Sequence, residues 1–186
     1  LQIRANNSRV LLLDPDATSP NIVGGYAGNS VSAGVVGAAV GGGGASGMVN
    51  LVTDNYGVVA GGRGNRAGDN AGTTGDALLA TVGGGRDNTA GGAYATVSGG
   101  YGNTAGGQNA TVGGGQINQA GSDYATVGGG YQNLISSSAL EAVIGGGWSN
   151  DVTGRLGTVG GGAHNLVSAY AATIAGGSSN DATGSH

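Results

Sequence analysis

Between Ala80 and His186 the chain repeats one phrase seven times, in its fullest form Ala-Thr-Val-Gly-Gly-Gly-x-x-Asn-x-Ala-x-Gly. The units open at Ala80, Ala95, Ala110, Ala125, Ala142, Gly157 and Ala172. The step is fifteen residues, with one unit of seventeen from Ala125 to Glu141. One short apolar triplet and one glycine turn per fixed period is the pattern of a solenoid, in which each coil stacks on the last. The expected architecture is therefore all-β, a parallel β-solenoid drawn out along one axis.

Within a unit the Ala-Thr-Val triplet is strand-like. Val82, Val97, Val112, Val127, Ile144, Val159 and Ile174 share one phase and form the expected core column. Alternation along a strand turns Thr to the opposite face and Ala back to the Val side. The glycine triplet that follows permits positive φ and close backbone approach. Asn88, Asn103, Asn118, Asn133, Asn150, Asn165 and Asn180 then form a turn column. Asn tolerates the left-handed conformation, and stacked carboxamides hydrogen-bond along an axis. A second short strand is expected through segments such as Thr89-Ala90, Gln119-Ala120 and Asp181-Ala182. Two strands and two turns per coil give two parallel sheets about 10 Å apart, with coils rising about 4.8 Å.

Three stretches follow. Residues 1–19 lie outside the repeat, and Arg9-Val-Leu-Leu-Leu-Asp14 is their apolar centre, expected to cap the open end of the first coil. Residues 20–79 hold degenerate, longer coils, opening near Pro20, at Ala38 and at Gly57. Their extra residues follow the Gly-rich turns and are expected to bulge from one side. Residues 80–186 are the regular solenoid, and the whole chain counts about ten coils. The chain opens on Leu-Gln-Ile without Met and stops at the end of a repeat, which reads as a piece of something longer.

Composition narrows the function. Of 186 residues, 45 are Gly, and there is no Phe, Lys or Cys. A chain with so few large apolar residues cannot build an ordinary core, while a valine held at fixed phase argues against disorder. Six Arg against ten acidic residues leave no basic patch, so a nucleic-acid partner is not expected. No apolar run approaches the ~20 residues of a membrane span. Absent Cys fits an extracellular surface protein without disulfides.

Searches for chemistry return little. Without Lys there is no phosphate loop. Gly61-Gly-Arg-Gly-Asn65 and Gly99-Gly-Tyr-Gly-Asn103 place Asn where nine-residue calcium rolls need Asp, so no metal or cofactor is expected there. His164 reads as solvent-facing, and Asp87, Asp123, Asp151 and Asp181 read as solubilising charges. No Gly-x-Ser-x-Gly elbow is arranged with partners. An enzyme is not expected.

The segment Tyr94-Ala-Thr-Val-Ser-Gly-Gly-Tyr-Gly-Asn-Thr-Ala-Gly-Gly107 resembles the head repeat of YadA-type trimeric adhesins. Val97 stands in that repeat's Ile position, Ala105 in its second-strand Ala position and Gly106-Gly107 at its turn. The resemblance covers roughly residues 20–186. It implies a left-handed parallel β-roll, three chains side by side and a role in adhesion at a cell surface. The extra Gly, the fifteen-residue unit and the Asn depart from that repeat. Gly-Gly-Gly-x-x-Asn repeats are also similar to shafts of bacterial fibres and phage-type tail fibres.

A trimer also has a physical motive, since one Val and two Ala per coil bury little area against the cost of ordering fifteen residues. The candidate interface is the position before each Ala: Leu79, Tyr94, Tyr124 and Leu156, with Asn109, Glu141 and Ala171 as exceptions. A second candidate column follows each glycine triplet: Arg86, Tyr101, Gln116, Tyr131 and Trp148. Such residues stack on sugar rings or grip a partner surface. A third column, Thr81, Thr96, Thr111, Thr126, Thr158 and Thr173, broken by Val143, resembles the flat threonine arrays of ice-binding solenoids. The expected function is a structural stalk or head segment of an extracellular trimeric fibre. The alternatives are a carbohydrate- or ice-binding solenoid, or a tail-fibre shaft of a phage-like particle.

Overall fold

Two residues make a strand here because the ladder runs along the axis rather than along the chain. In a computed structural model, which describes residues 1–184, Thr96 pairs in parallel with Thr81 and Thr111, and Val97 pairs with Val82 and Val112. Each coil thus places one Thr-Val pair on the pair before it. The same arrangement links second strands, as where Thr104–Ala105 lies between Thr89–Ala90 and Gln119–Ala120. The fold is an all-β parallel solenoid. Ten strands from Asn21–Gly24 to Thr173–Ile174 form one parallel stack. Ten from Ser30–Val31 to Asp181–Ala182 form the other. Ser185 and His186, the close of the seventh unit, lie outside the described residues.

The core is a thin column. Val82, Val97, Val112, Val127, Ile144 and Val159 are wholly buried, and Ile174 in the last coil is 8% exposed. Facing them from the second sheet are Ala67, Ala90, Ala105 and Ala120, then Ile135, Val152 and Val167. The third wall is Ala80, Ala95, Ala110, Ala125 and Ala142, preceding the outward-facing Thr of the repeat or Val143 in its place.

This geometry explains an irregularity in the repeat. Gly157 stands where other units have Ala, and a Cβ there would come within 2.6 Å of Val152 Cγ1 and 2.8 Å of Val167 Cγ1. In this coil the wall position shrinks to glycine beside the valines. Gly57 opposite Val52 repeats the exchange, with 2.6 Å to Val52 Cγ1. At these two positions glycine makes room for the larger valine side chain.

The first end is closed by a hairpin, strands β1 (Gln2–Ala5) and β2 (Ser8–Asp14). Strand β2 runs antiparallel to the first coil strand, pairing Leu12 with Val23 and Leu13 with Ile22. It satisfies an edge that a parallel stack would leave open. Arg9 serves the second edge, its guanidinium donating to the carbonyls of Ala27 (2.7 Å) and Asn29 (2.6 Å).

The insertions leave from two corners, not one side as the sequence reading expected. Ala45–Met48 forms a small loop between the glycine turn and Asn50, before the second strand. The 68–79 insertion leaves after the second strand, and Ser136–Ser138, in the seventeen-residue unit, leave from that same corner.

Candidate interaction surface

The floor of the surface is the asparagine column. Each Asn backbone N–H donates to the Oδ1 of the Asn one coil earlier, Asn103 to Asn88 at 2.9 Å and Asn118 to Asn103 at 2.9 Å. Each Nδ2 donates to a glycine carbonyl of its own coil and another of the next. For Asn103 these are Gly99 and Gly115, both at 2.9 Å. The ladder reaches upstream through Asn65 and Asn50 to Asn29. Asn88, Asn103, Asn133 and Asn150 are wholly buried, with Asn118 and Asn165 at 1%. Asn180, in the last coil, is exposed, donating from Nδ2 to Gly176 and Asn165. Asn50 was missed in the sequence because an insertion separates it from its glycines.

Of the two properties expected of Asn, the hydrogen-bonded amide ladder along the axis is present and the left-handed backbone is not. None of these asparagines takes positive φ; the residue before each one does: Asp87, Gly102, Ile117, Gln132, Ser149, His164 and Ser179, at φ between 51° and 65°. Asn is selected for its amide, which donates and accepts at once along the axis. Ile117 pays the cost of that backbone shape, since a β-branched residue at φ 57° is strained. The third glycine of each triplet is also required: Gly115 has φ 83°, and a Cβ there would overlap the Gly130 carbonyl oxygen.

On this floor Arg86, Tyr101, Gln116, Tyr131 and Trp148 form one in-register column with Arg63, Ala163 and Ser178. From Arg63 to Ala163 each N–H donates to the third-glycine carbonyl of the next coil, 3.0 Å from Tyr101 to Gly115 and 2.9 Å from Trp148 to Gly162. The column is therefore a third narrow parallel ladder and not a free turn tip. The Arg86 guanidinium lies 5.0 Å from the Tyr101 ring centroid, a cation–π contact, and its Nε sits 3.0 Å from the Asp87 carboxylate. The Trp148 and His164 rings meet edge to face, centroids 4.5 Å apart. Tyr101, Tyr131 and Trp148 are 40%, 38% and 51% exposed.

Leu79, Tyr94, Tyr124 and Leu156 form a second column at another corner, with Tyr56 added to it. Tyr94 is third in a turn closed by Ala95 N–H donating to the Gly92 carbonyl at 3.1 Å. All eight members, Asn109, Glu141 and Ala171 included, take φ between 53° and 61°. Each also donates its N–H to the preceding coil, as Tyr94 does to Leu78 at 2.9 Å. Such a turn position prefers Gly or Asn, and Asn109 alone among the eight obeys. Tyr94 and Tyr124 carry large exposed rings there at the expense of backbone strain. Glu141 pairs with Arg155 across one coil at 3.3 Å.

The threonine column is in register from Thr81 to Thr173, with Val143 paired between Thr126 and Thr158. The four aspartates read together as solubilising charges differ. Asp87 faces Arg86, and Asp123 Oδ1 accepts the Gln108 N–H at 2.8 Å. Asp181 is exposed. Asp151 is paired between Leu134 and Leu166, and its Oδ1 is buried without a hydrogen-bond partner. Burial raises its carboxyl above the ordinary range.

No protein-family model matches the chain, and no curated protein matches it.

Proposed function

We propose that the chain is a structural segment, stalk or head, of an extracellular trimeric fibre or adhesin, working by geometry rather than chemistry. One observation carries the proposal. Tyr56, Leu79, Tyr94, Tyr124 and Leu156 occupy a strained left-handed turn position in register, where a small residue is cheaper, and they present apolar groups outward. A row of that kind along a thin solenoid is what packing against sister chains needs. Three left-handed rolls side by side would bury it and supply the area that one chain's Val-Ala column lacks.

Attachment is assigned to the other column. Tyr101 and Tyr131 stand two coils apart, about twice the ~4.8 Å rise, with Trp148 one coil further. Rings spaced at whole multiples of the coil rise stack on the sugars of a surface glycan, each contact weak, the whole strengthened by multivalency. This glycan contact is also the basis of the alternative reading, a ligand-binding solenoid without the trimer. The threonine column keeps ice as a further ligand, and a phage-like tail fibre uses the same rod.

Sedimentation of the chain and of the double variant Tyr94→Asp/Tyr124→Asp tests the assembly. A trimer that falls to monomer in the variant supports the fibre; a wild-type monomer overturns it. Glycan-array binding lost on changing Tyr101, Tyr131 and Trp148 to Ala identifies the attachment column. Thermal hysteresis lost on changing Thr111 and Thr126 would instead favour ice.

A further inference from the structure

The longest insertion, residues 68–79, brings three carboxylates together. Asp54 follows the second strand of its coil, Asp69 opens the insertion and Asp76 lies near its close. One oxygen from each lies within 4.8 Å of the other two. Asp69 and Asp76 are exposed, and Asp54 is wholly buried.

Asp54 is the informative member. Its Oδ2 accepts the Thr53 hydroxyl at 2.8 Å and the Asp69 N–H at 3.2 Å. Its Oδ1 is buried with no hydrogen-bond partner at all. A buried carboxylate with one oxygen unsatisfied, beside two further carboxylates, is costly unless something positive meets it. No Arg side chain is hydrogen-bonded or ion-paired to the three among the described residues. Burial raises the Asp54 carboxyl above its ordinary range; the Thr53 hydroxyl opposes this, and the Asp69 charge adds a smaller upward effect.

We propose that Asp54, Asp69 and Asp76 bind a single Ca²⁺ that pins the 68–79 insertion to the coil beneath it. Calcium takes hard oxygen ligands at about 2.3–2.6 Å, so two oxygens on one ion stand at most about 5.2 Å apart, a limit that the three carboxylates, within 4.8 Å of one another, meet. Gly68 is fitted to this corner, since a Cβ there would overlap Thr53 Oγ1 and Asp54 Oδ2. The pinned segment ends at Leu79, so the cation also orders one member of the turn column. This site differs from the repeat-borne calcium motif that the sequence lacks, because its ligands come from one irregular loop.

The full chain, stripped with chelator and titrated with CaCl₂, tests the proposal by calorimetry and thermal melting. Saturable one-to-one binding is expected. The melting temperature should rise by about 3–6 °C at ten times the dissociation constant. Asp76→Asn, at an exposed residue, should keep the calcium-free melt and lose the calcium-dependent rise. Asp54→Asn should melt higher than wild type without calcium and gain nothing from adding it. A wild-type melt unmoved by millimolar Ca²⁺ overturns the site, as does an Asp76→Asn variant that still responds. An equal response to Mg²⁺ would reduce the effect to charge screening and also overturn it.

Discussion

At the scale of the residue, neighbouring positions 117 and 118 carry opposite energetic signs. Asn118 ties three coils through bonds to Asn103, Gly114, Gly130 and Asn133. Replacing it with Leu orphans the buried Asn133 N–H and removes a donor from two carbonyls. A loss of about 2–3 kcal/mol is expected by denaturant unfolding. Ile117, one position earlier, is exposed at φ 57°. Ile117→Asn places there a side chain that accepts the left-handed region, and a gain of about 1 kcal/mol is expected. If both variants melt like wild type, neither the amide ladder nor the backbone strain has the energetic role assigned to it.

At the scale of the element, the outer row of the second sheet contains a mismatch. Leu134, Asp151 and Leu166 are successive partners, so a carboxylate is desolvated between two leucines. Its folded-state pKa is raised by that burial. The native state then holds the proton more tightly than the unfolded chain. Stability contributed by this group is present below the unfolded value near ~3.9 and is lost as pH rises through the folded value. Asp151→Leu should therefore melt above wild type at pH 7. Its advantage should shrink as pH is lowered toward 4, which melting curves of the two proteins across that range will check. A difference that stays constant with pH would refute the account.

At the scale of the molecule, stability is distributed along one dimension. Each coil touches only its neighbours, so a central coil is held from both sides and a terminal one from one. The core column shows the gradient, from fully buried Val112 and Val127 to Ile174 at the end. The hairpin β1–β2 and Arg9 protect the opposite end. Amide hydrogen exchange should be slowest around Thr111–Val112 and Thr126–Val127. It should quicken toward Thr173–Ile174 and remain moderate at Asn21–Gly24 beneath the cap. Uniform protection along the axis would show an all-or-none unit instead.

The sequence by itself determined the solenoid, because a Val at fixed phase, a Gly triplet and an Asn in every unit admit one stacking register. It also contained the core column, the tyrosine–leucine column and the column from Arg86 to Trp148 as lists of residues. Only the tertiary structure decided what each column is. It moved the left-handed backbone from the asparagines to the residues before them. It joined the column from Arg86 to Trp148 into a paired ladder, and it showed that the tyrosines sit at a strained corner. It sent the insertions to two corners, explained Gly157 by Val152 and Val167, and gathered Asp54, Asp69 and Asp76. The physical reason is common to all of these. Phase along the chain states which residues are equivalent, whereas hydrogen bonds and contacts between coils join residues fifteen or more apart, and those distances exist only once the stack is built.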